Sequence, residues 1–244
     1  MGTCPIFGRR TPADKSPQRT PLHSRPQRCR WTRVSGKVSY GSVLCSKLIL
    51  FVSHGGGECG WPRAWTINLA SRLFLPDIVH DRLANQIGEC TWGKNLLNQG
   101  FPAPLQVDGN FGATAGIVEA LLQSHELVKV NRNGTLRSAT LGESGVHPLI
   151  RILPALPLQW AENGGGSFKG LRARGGFVVD ASWDEKGQFE RGSVTSLLGN
   201  EAYVVLGDSM IGHANGTQIR MDNGTHGTFV KLSGGKETTH RLYV

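Results

Sequence analysis

The chain lacks an apolar run long enough to cross a membrane or to act as an ordinary secretory signal. Its only apolar run near the start covers residues 48–52, whereas a membrane-spanning helix needs about 20 residues. We therefore expect no membrane partner and no export signal in the chain as given. In contrast, three Asn-Gly-Thr sequons are typical of glycosylated secreted proteins and favour a secreted ancestry. They begin at Asn133, Asn215 and Asn223.

The cysteines lack the spacing of a metal site or of a complete disulfide framework. There are five, an odd number, and none forms a CxxC pair. They are Cys4, Cys29, Cys45, Cys59 and Cys90. Cys59 and Cys90 could pair, but a disulfide requires their Cα atoms to approach closely, which the sequence does not establish.

Acidic residues are scarce at the start of the chain. The first 60 residues hold ten Lys or Arg against two acids, net +8 of the whole chain's +9. The segment is also rich in Pro and Ser and shows no regular period, so we predict that residues 1–55 form a disordered basic arm. A nucleic-acid-binding function would depend steeply on salt and would be lost with residues 1–53. Without a recognisable nucleic-acid-binding fold, we expect no such partner.

Helical patterns follow the basic arm. Pro62 and the apolar spacing after it predict a helix over residues 62–75, and Pro76 interrupts that helix before a second amphipathic pattern. Residues 98–112 are dense in Pro, Gly and Asn, which predicts irregular structure. A third helix is predicted from about Ala113 to near His125, with a face of small residues that allows close packing against a neighbouring helix.

Short alternating segments begin after Pro148 and predict β-strands in an antiparallel arrangement. The clearest strand covers residues 177–183, where large apolar residues alternate with Val178, Asp180 and Ser182 before a turn at residues 184–187. The sequence therefore predicts an α+β fold, in which helices come first and a β module follows.

Four blocks of sequence resemble one known family in their order and spacing. They are GWPRAWTINLASRL at 60–73, QVDGNFG at 106–112 with the helix after it, RILPALP at 151–157, and KGLRARGGFVVDASW at 169–183. QVDGNFG closely resembles the signature near the end of the catalytic barrel in glycoside hydrolase family 95, whose characterised members are chiefly α-L-fucosidases. The resemblance covers about residues 56–200.

The resemblance implies a fold and a function. Family members have an (α/α)6 barrel preceded by a β-sandwich and followed by a small β domain. Residues 56–147 would thus be the C-terminal part of the barrel and residues 148–244 the β domain. The implied reaction is hydrolysis of terminal α-linked L-fucose in a fucosylated glycan, with inversion and without metal or organic cofactor. The alternative is a non-catalytic carbohydrate-binding or structural remnant of such an enzyme.

Inverting hydrolysis needs a general acid for the leaving oxygen and a general base for the attacking water. By resemblance, Asp108 is the base-side carboxylate, and Asn110 would orient water or sugar. From the residues alone, Asp108 could instead cap a helix or stabilise a turn, and Asn110 could simply be a turn residue. The family's acid is a Glu upstream of residues 60–73, where this sequence has no matching segment. The nearest acids, Glu58 and Glu119, have no motif behind them.

Two tryptophans complete the set of candidate site residues. An aromatic face matches the C–H face of a pyranose, so Trp61 and Trp65 could form a sugar-stacking wall. Tryptophans in an amphipathic helix are more often part of a core, and that alternative stays open at this point.

Overall fold

The structure, a computed structural model, describes residues 47–48, 50–51, 57, 59–91, 97–98, 105–132, 134–206, 229–232 and 235–243. Over these residues, three long helices precede nine strands, which confirms the predicted α+β class. None of the helices in these ranges is long and apolar enough to cross a membrane. The asparagines of the three sequons and residues 1–46 of the predicted arm lie outside the described residues.

The first two helices lie where the sequence predicts them. Helix α1 spans Trp61–Arg72 and helix α2 spans Pro76–Gly88. Each has a proline among its first two residues, where the missing N–H would have no partner within the helix. A disulfide joins Cys59 to Cys90 with a Cα–Cα distance of 5.5 Å. Because it connects the start of α1 to the end of α2, the two helices run in opposite directions.

The third helix differs from the prediction at both ends. Helix α3 spans Val107–Leu121, so it begins six residues before Ala113 and does not extend to His125. The prediction that residues 107–112 are irregular was therefore wrong. Glycine costs about 1 kcal/mol in a helix relative to alanine, but here the small residues allow α3 to pack against α1. Tertiary packing offsets the poor local propensity.

Three glycines of α3 form a seam with α1, which we call the α1–α3 seam. A Cβ atom on Gly112 would lie 2.8 Å from Ala64 and one on Gly116 would lie 2.4 Å from Ile67, so neither position accepts a side chain without a shift of α1. On Gly109 it would lie 3.0 Å from Gly60 and 2.1 Å from the side chain of Asn98. The facing positions are Gly109 with Gly60, Gly112 with Ala64, and Gly116 with Ile67. Residue numbers rise together along both helices, so α1 and α3 run parallel. The predicted face of small residues is confirmed.

The strands form two sheets. Their bounds are β1 Leu122–Val130, β2 Leu136–Ala139, β3 His147–Ile152, β4 Gly166–Ala173, β5 Phe177–Trp183, β6 Phe189–Ser196, β7 Ala202–Leu206, β8 Phe229–Leu232 and β9 Thr238–Tyr243. The five-stranded sheet has the order β2-β1-β3-β7-β8, and the four-stranded sheet has the order β4-β5-β6-β9. All paired neighbours are antiparallel except β3 and β7, which are parallel. The expectation of a purely antiparallel arrangement was therefore wrong.

The two sheets enclose the larger of two main cores. Alternate residues of β5 are buried, as the sequence predicts, and Phe177 is fully covered. Residues of β3 and β7 in the other sheet belong to the same apolar cluster. The strand region is therefore a sandwich with a continuous interior.

A short segment after β3 connects this sandwich to the helices. Leu153 N–H donates to the carbonyl of Leu121 over 2.8 Å, and Ala155 N–H donates to the carbonyl of Ala120 over 3.1 Å. Ala155 also packs in the helical core. Because α3 leads directly into β1, the end of this helix is held by both regions.

Part of the predicted arm belongs to the folded molecule. Residues 47, 48, 50 and 51 are helical, and Leu48 is 5 % exposed within the helical core. The prediction of disorder through residue 55 was wrong for these residues, because Leu48 buries enough apolar surface to order a short helical segment.

Candidate active site

Asp108 lies in the first turn of α3 with its side chain exposed. The N-cap of this helix is Gln106, so Asp108 does not cap it. The Asp108 carboxylate accepts a 3.2 Å bond from the neighbouring Gly109 N–H. Partial positive charge at a helix N-terminus stabilises a carboxylate in the first turn. Asp108 is thus an accessible acceptor on a helix that the seam holds rigidly.

The position of Asp108 relative to α1 follows from an ion pair at the far end of the seam. Arg72 of α1 and Glu119 of α3 pair through two bonds, one of them 2.8 Å from Nη2 to Oε1. Trp61 and Asp108 each precede these residues by eleven positions, which is about three turns or roughly 16 Å along each helix. Since the helices are parallel, Trp61 and Asp108 lie beside each other on the same side of the seam.

A direct contact supports this juxtaposition. The side-chain oxygen of Gln106 accepts a 2.9 Å bond from the backbone N–H of Trp61. Gln106 immediately precedes α3, so the beginnings of α1 and α3 are bonded to each other. Gln106 lies within the block at 106–112, but the sequence alone indicates no role for it. No local signal could reveal a contact between residues 45 positions apart.

The two tryptophans are surface residues in this structure. Trp61 is 54 % exposed and Trp65 is 53 % exposed, so neither belongs to a core. They are four residues apart and share one side of α1. Phe111, one turn after Asp108 on α3, is 73 % exposed. Aromatic side chains from both helices therefore flank the carboxylate.

Asn110 has a different placement. Its side-chain oxygen accepts a 2.8 Å bond from the backbone N–H of Asn98. Two residues along a helix correspond to about 200° of rotation, so Asn110 projects away from the side that carries Asp108. The structure assigns Asn110 to the support of the α3 N-terminus and does not bring it to Trp61.

No described acid lies where the partner of Asp108 is needed. Glu119 is bonded to Arg72 and lies about three turns from Asp108 on the same helix, roughly 16 Å, whereas inverting carboxyl groups lie about 6.5–9.5 Å apart. The bond to Glu119 in turn raises the pKa of Arg72. Glu89 pairs at 3.5 Å with Arg63, which lies two residues after Trp61 and so on the other side of α1. Glu58 is outside the described residues.

Two family models match the chain and together define its class as a glycoside hydrolase. The model described as the glycosyl hydrolase family 95 catalytic domain matches residues 46–121, which include all three helices. The model described as the glycoside hydrolase family 95 C-terminal domain matches residues 146–242, which include most of the strands. The chain belongs to glycoside hydrolase family 95.

Curated relatives carry fucosidase names. The chain is 31 % identical over 156 residues to a probable alpha-fucosidase A of Aspergillus oryzae, a match that covers 61 % of this chain and 20 % of the relative. It is 30 % identical over 133 residues to a probable alpha-fucosidase A of Aspergillus niger, covering 52 % and 14 %. The match to alpha-L-fucosidase 2 of Arabidopsis thaliana is 30 % identical over 141 residues, covering 54 % and 14 %. The chain thus spans a fifth or less of these relatives.

Proposed function

We propose that this chain carries the base-side half of an α-L-fucosidase active site and acts on terminal α-linked L-fucose of a glycan. The observation that carries the proposal is the placement of an exposed Asp108 beside Trp61 at one end of the α1–α3 seam. The catalytic-domain match over residues 46–121 and the names of the relatives supply the reaction class.

The helices fit the end of an (α/α)6 barrel. In such a barrel, neighbouring helices alternate in direction, so every second helix is parallel. Helices α1 and α3 are parallel and α2 runs against them, as that architecture requires. The open side with Trp61 and Asp108 would then face the barrel axis. Because β1 and β2 pair in one sheet with β3, the barrel would end at α3, near residue 121, and not at the division expected at residues 147–148.

In the proposed reaction, Asp108 is the general base. Its carboxylate takes a proton from the water that attacks the anomeric carbon, and the fucose is released with inverted configuration. Trp61 and Trp65 hold the apolar face of the sugar. The proton for the leaving oxygen comes from a carboxylic acid outside the described residues, on this chain or on a second polypeptide.

The disulfide bears on where such a protein works. Disulfides form and persist mainly in oxidising compartments. The Cys59–Cys90 bond lies within the helical region, where it ties the start of α1 to the end of α2. It supports the proposal of a secreted enzyme.

The alternative is a carbohydrate-binding remnant that does not catalyse hydrolysis. It is favoured by the distance of the described acids from Asp108, because Glu119 lies roughly 16 Å away along α3 and Glu89 pairs with Arg63 on the other side of α1. A remnant would retain the aromatic surface and bind L-fucose, but the carboxylate would not affect any rate.

Hydrolysis of aryl α-L-fucosides distinguishes the catalytic proposal from the non-catalytic remnant. A dinitrophenyl leaving group departs without protonation, so it tests the base even where the acid is missing. We expect the chain to hydrolyse this substrate and Asp108→Asn to lose about 10²–10⁴-fold in rate, the usual contribution of a positioned acid or base. A proton NMR spectrum of the first product should show β-L-fucose.

Asp77→Asn is the matched control. Asp77 is also exposed in the first turn of its helix, but α2 runs the other way, which places it at the opposite end of the helices. We expect this variant to keep the full rate. Equal rates for wild type and Asp108→Asn would contradict the catalytic proposal, and fucose binding without hydrolysis would favour the remnant.

A further inference from the structure

Helix α1 has no side chain of its own to cap its N-terminus. Its N-cap is Gly60, which has a φ of 67° and makes no side-chain cap bond. The first N–H groups of a helix have no intrahelical acceptor and need one from elsewhere. For the Trp61 N–H, the acceptor is the side-chain oxygen of Gln106, 2.9 Å away.

The backbone of Gln106 simultaneously fixes the start of α3. Gln106 N–H donates to the carbonyl of Asn98 over 3.0 Å, and the carbonyl of Gln106 accepts from Gly109 N–H over 3.0 Å. The Gln106 side chain makes no cap bond within α3, although Gln106 is the N-cap of that helix. A single residue therefore caps one helix with its side chain and begins the other with its backbone.

The contact between Gln106 and α1 is close. A Cβ atom on Gly60 would lie 1.8 Å from the side-chain oxygen of Gln106, so a larger residue at position 60 would displace it. The absence of a side chain at Gly60 lets Gln106 reach the helix end. This contact sets how far the first turn of α1 lies from the first turn of α3.

We propose that Gln106 is a positioning residue, which holds Trp61 at the distance from Asp108 that a bound pyranose requires. The inference rests on the proposed function and adds to it the residue that aligns the stacking surface of Trp61 with the carboxylate of Asp108. Binding and catalytic groups work only when they are held within about 0.5 Å of the productive geometry. The capping bond applies this constraint where the sugar would lie, between the stacking surface and the carboxylate.

Three variants test the inference. Gln106→Ala removes the acceptor, and Gln106→Glu retains an oxygen at the same reach. Gln123→Ala is the matched control, because Gln123 also bonds to both helices but at the opposite end of the seam. Its amide donates to the carbonyls of Ser71 over 2.9 Å and Glu119 over 2.8 Å.

Two readouts are needed. The first is the hydrogen-exchange rate of the Trp61 amide by NMR, and the second is the affinity for L-fucose from tryptophan fluorescence. We expect Gln106→Ala to accelerate the exchange and weaken fucose binding, each roughly twofold to tenfold, the range that corresponds to one net hydrogen bond. Gln106→Glu should restore the exchange rate and the fucose affinity of the wild type. Gln123→Ala should lower the melting temperature without changing the exchange rate or the affinity.

An unchanged exchange rate of the Trp61 amide in Gln106→Ala would overturn the inference, whatever the affinity for L-fucose. Accelerated exchange with unchanged fucose affinity would also overturn it, because the contact would then be structural only. In contrast, a wild type that does not bind L-fucose would contradict the proposed function, and the exchange rates would still decide whether Gln106 holds Trp61.

Discussion

The helices and the sheets of this molecule bury their apolar residues to different extents. In the strand region, large side chains such as Phe177 and Trp183 fill the space between two sheets that cover each other. The helical region is the shorter of the two, yet it carries eight of the thirteen large apolar side chains that the described residues leave exposed. The eight are Leu50, Phe51, Trp61, Trp65, Ile87, Leu105, Val107 and Phe111, and the five in the strand region are Val130, Leu141, Leu158, Leu198 and Tyr243.

This difference indicates how each region is stabilised. The sandwich has a continuous interior, whereas α1 and α3 contact through glycines that contribute little apolar surface of their own. The helices have a smaller apolar core of their own, and specific links add to it, namely the disulfide, the Arg72–Glu119 pair and the Gln106 cap. Of the exposed apolar side chains, Trp61, Trp65 and Phe111 belong to the surface that the proposed site uses.

Removal of the disulfide should destabilise the helices relative to the sandwich more than any other change considered below. In the chain-entropy model, a cross-link between residues 31 positions apart contributes about 3–4 kcal/mol. We expect the double variant Cys59→Ser, Cys90→Ser to accelerate amide exchange throughout α1 and α2. Amides of β5, which lies in the sandwich, should keep their protection. Equal loss of protection in β5 would show that the two regions unfold as one unit.

A smaller effect is expected at the α1–α3 seam. In Gly116→Ala, the new Cβ would lie 2.4 Å from Cγ2 of Ile67, so the helices must move apart. Overpacking of this kind costs about 1–3 kcal/mol, more than the gain in helix propensity. Thermal or urea unfolding measures the change.

Gly88→Ala is the control for Gly116→Ala. A Cβ atom on Gly88, the last residue of α2, meets no atom within 4 Å, so this variant should gain stability or stay neutral. If both alanine variants gained stability, the seam would not be as close as the structure shows.

The sequence predicted those elements whose signals are local. Pro62 and Pro76 mark the starts of α1 and α2, and the alternation of buried residues over residues 177–183 identifies β5. The start of α3 was missed because Gly109 and Gly112 have low helix propensity, and only the contact with α1 explains their presence. Strand β1 was missed because it begins at Leu122, directly after α3 without a turn residue between them.

In the candidate site, too, local signals identify single residues, whereas the contacts between them are non-local. Asp108 was proposed from the motif of the family that the sequence resembles, and its neighbour Trp61 from its residue type. Their juxtaposition depends on a parallel pair of helices and on the bond from Trp61 to Gln106, which no local pattern encodes. The parallel pairing of β3 with β7 is similarly non-local, since about 50 residues separate the two strands.

The most direct test of the account is the proximity of Trp61 to residue 108. We would place a nitroxide on Asp108→Cys, with Cys4, Cys29 and Cys45 changed to Ser, and record the indole N–H signals by NMR. We expect the Trp61 signal to be broadened beyond detection, while the signal of Trp183, in β5 of the sandwich, keeps its intensity. A Trp61 signal as strong as that of Trp183 would contradict the proposed site.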